Sequence, residues 1–133
     1  MERFEDGRLL MEQIAAEFEE ELEDQFEVKT DLSDCPSFSG SFDVQELRRI
    51  FDNLRSNIRK YADPGNPVTL TISIQNHSLL IRQTNASLPQ KPQSESYRIG
   101  LNSIRRIAQM YGGNVTVRHS KAEFDISITL PEI

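Results

Sequence analysis

Apolar residues recur along this chain with two periods, and the switches between them lay out the elements. Leu10, Ile14, Phe18 and Leu22, with Met11 and Ala15 beside them, keep helical spacing and predict a helix over 9–24. Residues 26–32 alternate apolar and polar, as a strand with one buried face does. Pro36 marks a turn over 33–37, and 38–42 reads as a second short strand. At about 100° per residue, Leu47, Ile50, Phe51, Leu54, Ile58 and Tyr61 fall on one continuous apolar face. They predict a central helix that runs to Ala62. Asp43 or Ser41 can cap it, with Glu46 placed three residues after Asp43 as in a capping box. Asp63-Pro64-Gly65-Asn66-Pro67 then breaks it.

Val68, Leu70, Ile72 and Ile74 alternate with polar residues, and Asn76-His77-Ser78 turns the chain into 79–83, which predicts a hairpin. Residues 85–97 form the one long stretch without periodicity, expected to be a lid or binding loop. Leu101, Ile104, Ala108 and Tyr111, with Ile107 beside them, predict a helix over 98–111 that Gly112-Gly113 stops. Val115 and Val117, a turn at 120–122, and Phe124, Ile126, Ile128 and Leu130 predict a last hairpin. This order fits an α+β fold: one mixed, mostly antiparallel sheet with about three helices on one face. Thr69, Thr71, Ser73, Ser127 and Thr129 give the other face a solvated character, so two layers are expected rather than three.

Composition narrows the class. At 133 residues, 37% hydrophobic and 27% charged, one globular core over 1–133 is expected. No apolar run approaches the ~20 residues of a membrane span, and Met1 to Asp6 carry no apolar signal region. Cys35 is the only cysteine, so no internal disulfide forms, which fits a reducing compartment. The net charge of -6 is uneven: residues 1–34 carry 13 acidic and 3 basic side chains, and residues 35–133 carry 8 and 12. That balance suits a small phosphorylated ligand and disfavours nucleic acid. The acids at 17, 19–21, 23 and 24 crowd the C-terminal end of the first helix, where the helix dipole disfavours them. They read as a solubilising face, with docking to a basic neighbour as the alternative.

Candidate chemistry sits on the border of the central helix. Asn53, Asn57 and Lys60 form a stripe beside its apolar face. Amide oxygens can ligate Mg²⁺, and a lysine can meet phosphate. The plain alternative is the polar side of an amphipathic helix. His77 falls in a turn and His119 at a strand end, so both read as structural.

Asn53-Leu54-x-x-Asn57-x-x-Lys60-Tyr61 resembles the asparagine box of the ATP-binding domain of sensor histidine kinases. Ile99-Gly100-Leu101, opening a helix that ends in Gly112-Gly113, is similar to the second glycine box of that family, and the likeness spans nearly the whole chain. It implies the two-layer, Bergerat-type sandwich shared with gyrase B, Hsp90 chaperones and MutL, with ATP held between the asparagine-box helix and a lid. Carried over by position, Asn57 would ligate Mg²⁺ and Asn53 would support it. Lys60 would contact phosphate and Tyr61 would flank the nucleotide. Gly100 and Leu101 would start a helix whose N–H groups face phosphate, with Arg98, Arg105 and Arg106 adding positive charge. Two features depart from the family pattern. Asn85 stands where an Asp binds adenine, and Arg98 and Asn102 stand where glycines are common.

The resemblance implies transfer of the ATP γ-phosphoryl to a histidine on a separate helical dimerisation domain, then to a response regulator. Residues 1–6 leave no room for that domain, so the chain is expected to be the cytoplasmic catalytic piece of a membrane-anchored sensor, itself touching neither membrane nor nucleic acid. Two alternatives stand beside it: an anti-sigma-type serine kinase, whose motif usually has Glu where this chain has Asn53, and a degenerate docking domain that has lost ATP.

Overall fold

The computed structural model describes residues 1–88 and 95–133, the side chains of Glu95 and Ser96 excepted. Among them, β1 (Glu2–Phe4), α1 (Gly7–Leu22), β2 (Val28–Asp31), β3 (Gly40–Phe42), α2 (Val44–Tyr61), β4 (Val68–Gln75), β5 (Ser78–Ala86), α3 (Glu95–Met110), β6 (Asn114–His119) and β7 (Glu123–Leu130) follow in order. The main sheet runs β2-β4-β5-β7-β6. Only β2 and β4 are parallel; the other neighbours are antiparallel. Val68, Leu70, Ile72, Leu79, Ile81, Ile126, Ile128 and Leu130 turn inward to meet the buried faces of the helices. On the other face Thr69 pairs in register with Thr84, and their hydroxyls bond. The expected two-layer α+β sandwich is what forms. No described helix is long and apolar enough to cross a membrane.

One strand sits elsewhere than expected. β3 leaves the main sheet and pairs with β1, Glu2 opposite Phe42 and Phe4 opposite Gly40. Three residues are too few for β1 to show a period, so periodicity could not find it. Aromatic packing holds it in place: Phe42 is fully buried, with Phe4 and Phe38 rings 6.1 and 6.2 Å away. The chain enters α1 against Phe38, whose backbone oxygen accepts from Gly7 N–H at 2.7 Å. A Cβ on Gly7 would fall 2.4 Å from that ring, so any larger residue there would have to push the ring aside.

The acids of α1 find their basic neighbour inside the chain. Arg48, Arg55 and Arg59 of α2 pair with Glu17 and Glu21 of α1 and with Asp24 just beyond its end, the last two at 2.7 and 3.1 Å. These pairs offset the unfavourable dipole position of the acids. Being partly exposed, each contributes at most about 1 kcal/mol. Asp43 caps α2 as expected, accepting from Glu46 N–H at 3.1 Å. The capping box is only half formed, because Asp43 N–H donates instead to the buried Tyr111 hydroxyl at 3.0 Å. Glu46 turns its carboxylate to Arg49 at 2.9 Å.

At the end of α3, Gly112 takes φ +70°, and Gly113 N–H reaches Ala108 O at 2.9 Å while Gly112 N–H reaches Gln109 O at 3.0 Å. This is the Schellman pairing that satisfies the last carbonyls of a helix. The β4–β5 turn places Asn76 and His77 both at positive φ, the conformation that suits a two-residue hairpin.

On the open face of the sheet, Arg82 grips Asp125 with two bonds of 3.1 and 2.7 Å. They hold the Asp125 carboxyl below its ordinary value of 3.8, against the smaller opposing effect of burial. A depressed folded value means that the stabilisation is present above the ordinary carboxylate range and is lost as pH falls through the folded value. Arg82→Met is therefore expected to lower stability at pH 7 by no more than about 1 kcal/mol, because the guanidinium is largely exposed. Denaturant melts of both proteins across the acid range should converge at the lowest pH; a gap that stays constant would show that Asp125 gains nothing from Arg82.

Candidate functional site

α2 has two jobs, and its sequence divides them. Leu47, Ile50, Phe51, Leu54 and Ile58 go into the core. The bordering stripe, Asn53, Asn57 and Lys60 with Tyr61, lines a cavity closed on the other side by Tyr97, Gly100, Leu101 and Ile104 of α3 and by Phe124 of β7. Six of the expected site residues, Asn53, Asn57, Lys60, Tyr61, Gly100 and Leu101, therefore meet around one space. Gly100 lies close to Asn53: a Cβ there would stand 3.4 Å from Asn53 Oδ1. Asn53 uses its amide N–H to bond the Arg49 carbonyl one turn back at 3.1 Å, which sets the side chain's orientation.

Asn57 is different. Its Oδ1 is buried and accepts no hydrogen bond from the described residues. A buried acceptor left unpaired costs about 1–3 kcal/mol, and this one faces a cavity in which a water or a ligand can meet it. The described residues hold no cluster of three or more His, Cys, Asp or Glu side chains that would bind a free metal ion. A single amide oxygen instead suits Mg²⁺, which keeps several waters and is usually bound through few protein ligands plus substrate phosphates.

The cavity encloses only about 30 Å³, room for a water or two. Tyr97 fills the rest. Its ring stands edge-on to Tyr61 at 5.7 Å and to Phe124 at 6.3 Å, and its hydroxyl meets His119 Nδ1 at 3.2 Å. Burial holds the Tyr97 phenol above its ordinary value.

The structure corrects three expectations. Asn85 is not in a loop: it is the next-to-last residue of β5, 5% exposed, and its Oδ1 accepts from Gln83 Nε2 at 2.8 Å while its Nδ2 donates to Ala86 O at 2.9 Å. Both ends of its amide are already engaged within the chain. Gly100 and Leu101 do not start α3. The helix already begins at Glu95, helped by the buried Tyr97, so they stand in its second turn, beyond the N–H groups a helix leaves unpaired. Arg98 lines a groove on the β6 side of α3 rather than the cavity.

The expected lid over 85–97 shortens at both ends. Ser87 N–H bonds Ala122 O, Leu88 N–H bonds Tyr61 O, and 95–97 belong to α3. Residues 89–94 lie outside the described residues. Tyr97 and Phe124 were missed by the sequence reading because each looks like a core aromatic; Phe124 opposes Asn85 in register, a long-range fact. His77 and His119 stand in a turn and at a strand end as expected.

Comparison with known proteins matches this geometry. Residues 42–133 fit the model of the histidine kinase-, DNA gyrase B-, and HSP90-like ATPases. No curated protein sequence matches the chain. Among solved structures, the catalytic domain of histidine kinase ThkA is 14% identical with a TM-score of 0.75, over 98% of this chain and 95% of that one. Acinetobacter baumannii histidine kinase AdeS is 13% identical with a TM-score of 0.73, over 99% of this chain and 68% of that one. Full-length ShkA in complex with AMPPNP is 20% identical with a TM-score of 0.72, over 95% of this chain and 30% of that one. At such identities the likeness is one of fold. The family match spans more than half of the chain and includes every residue that lines the cavity, so the chain belongs to the histidine kinase-, DNA gyrase B-, and HSP90-like ATPase family.

Proposed function

We propose that the chain is one ATP-binding catalytic domain over 1–133, working in the cytoplasm as part of a sensor histidine kinase and delivering the ATP γ-phosphoryl to a histidine on a separate helical domain, from which a response regulator receives it. The observation that carries this reading is the buried, unpartnered Oδ1 of Asn57 on the cavity wall. Asn57 would hold Mg²⁺, which supplies charge neutralisation to the phosphates when bound. Asn53 orients beside it. Lys60, on the exposed rim, brings an ammonium to a phosphate oxygen. The family membership supports the reading, as does ShkA, a protein of this fold solved with AMPPNP. Catalysis by such a domain rests on positioning and electrostatics rather than on a protein nucleophile.

Ligand pockets for small molecules commonly measure about 300–1,000 Å³, far more than this cavity holds. Nucleotide entry therefore requires Tyr97 and the first turn of α3 to leave Tyr61 and Phe124. A second reading, a docking domain that no longer takes nucleotide, is favoured by the internal bonding of Asn85. Calorimetric titration with a non-hydrolysable ATP analogue, with and without Mg²⁺, separates the two. Saturable, Mg²⁺-dependent binding is expected. A folded protein that takes up no analogue at millimolar concentration would establish the docking reading.

A further inference from the structure

Eight arginines of the chain, Arg3, Arg8, Arg48, Arg49, Arg55, Arg59, Arg82 and Arg106, have a carboxylate within 4.0 Å. The other three of its eleven arginines, Arg98, Arg105 and Arg118, have none among the described residues. Arg98 and Arg105 line one groove, and Arg118 lies on the other face of the strand that borders it. Tyr97, Arg98, Leu101, Asn102 and Arg105 of α3 and Val117 and His119 of β6 line a groove of about 470 Å³. Arg118 stands on the opposite face of the same strand, opposite Asp125, which Arg82 already holds. From residue 96 to residue 122 the sequence has five Lys or Arg, one His and no Asp or Glu, although the whole chain is at -6. In a protein with 21 acidic side chains that pairs its arginines elsewhere, this cationic surface is specific to one place.

The groove runs along a sheet edge. β6 ends the order β2-β4-β5-β7-β6 and, among the described residues, pairs only with β7. Its outer backbone N–H and C=O groups are therefore available to an added strand. A strand laid on that edge turns alternate side chains to opposite faces. One set meets Arg98 and Arg105, and the other meets Arg118. A second copy's β6 would bring the same cations and be repelled.

We propose that the groove between α3 and the free edge of β6 docks an extended, acidic segment of a partner protein, which adds to the sheet as a strand next to β6. The groove shares Tyr97 and Leu101 with the cavity of Asn57, so the docking test is made without nucleotide, and its outcome does not depend on whether the cavity takes one.

The probe is a fluorescein-labelled peptide carrying Glu-Asp-Glu-Asp between threonines, titrated with the full chain and read by anisotropy, with backbone amide shifts followed by NMR. Expected are saturable binding weakened by 0.5 M salt, shifts concentrated at 114–119, and at least a tenfold loss in an Arg105→Glu, Arg118→Glu variant whose circular dichroism is unchanged. A peptide of equal charge with prolines between the acids should also bind at least tenfold more weakly, because it lacks the N–H groups a strand needs. Equal binding of the proline peptide, shifts confined to 53–61, unchanged affinity of the double variant, or tighter binding of a single-stranded oligonucleotide would each overturn the proposal.

Discussion

Asn57→Ala is expected to weaken Mg²⁺-dependent binding of an ATP analogue at least a hundredfold while leaving the melting temperature unchanged or slightly raised. The two halves of this result come from one atom. Oδ1 of Asn57 is buried and has no partner among the described residues, so removing it breaks no bond to them. Removal also relieves a desolvation cost of about 1–3 kcal/mol, part of which returns as the small space left behind. For binding, the same atom is the one proposed to hold the metal, in a cavity whose neighbours are Lys60, Asn53 and aromatic rings. Calorimetry and a thermal scan on the same sample test both halves. Wild-type affinity in the variant would remove Asn57 from the site, and a clear drop in melting temperature would show that its amide supports the fold rather than a ligand.

Gly113→Ala is expected to be the most destabilising single-methyl change in the chain. A Cβ built on Gly113 would fall 1.8 Å from the backbone oxygen of Thr129 and 2.9 Å from its carbonyl carbon. Backbone atoms of a paired strand cannot rotate away as a side chain does, so the β6–β7 ladder must part or the end of α3 must unwind. Either movement disturbs Tyr111, which is fully buried and whose hydroxyl accepts from Asp43 at the start of α2. A loss of about 3 kcal/mol or more is expected, at the upper end of ordinary point substitutions, and should lower the melting temperature by about 10 °C. Gly112→Ala is the internal comparison. Its strain comes from φ +70°, and its nearest obstacle is the end of the Glu132 side chain, which can move. It should cost about 1 kcal/mol. Equal losses at the two positions would show that the turn's conformation matters and the close approach to Thr129 does not.

How much of the site was readable follows from how each residue is specified. Asn53, Asn57 and Lys60 share a stripe because they share a helix, and helical spacing fixes that relation whatever the rest of the chain does. Gly100 and Leu101 were singled out only through the resemblance to a glycine box, and the helix they were expected to open extends to Glu95 once Tyr97 is buried. Asn85 was misread because a polar residue at the end of an alternating strand looks like the start of a loop. Only the fold shows that Gln83 beside it is fully buried and hydrogen-bonded to it, which makes the pair part of the strand. Tyr97 and Phe124 carried no local sign at all, since an aromatic ring that closes a cavity has the same sequence signature as one that fills a core.

The sequence by itself determined the alternation of three amphipathic helices and alternating strands, the polar stripe along α2, and the Gly-Gly stop of α3. Each depends on residues within one or two turns of one another, where backbone geometry sets who is neighbour to whom. Only the tertiary structure decided that the α1 acids face the α2 arginines, that β3 leaves the main sheet for β1, that Tyr97 occupies the space between Tyr61 and Phe124, and that Arg98 and Arg105 line a groove beside β6. Those are choices among many chemically equivalent partners. Free energy selects among them through the packing of the whole core, and no short stretch of the chain contains that information.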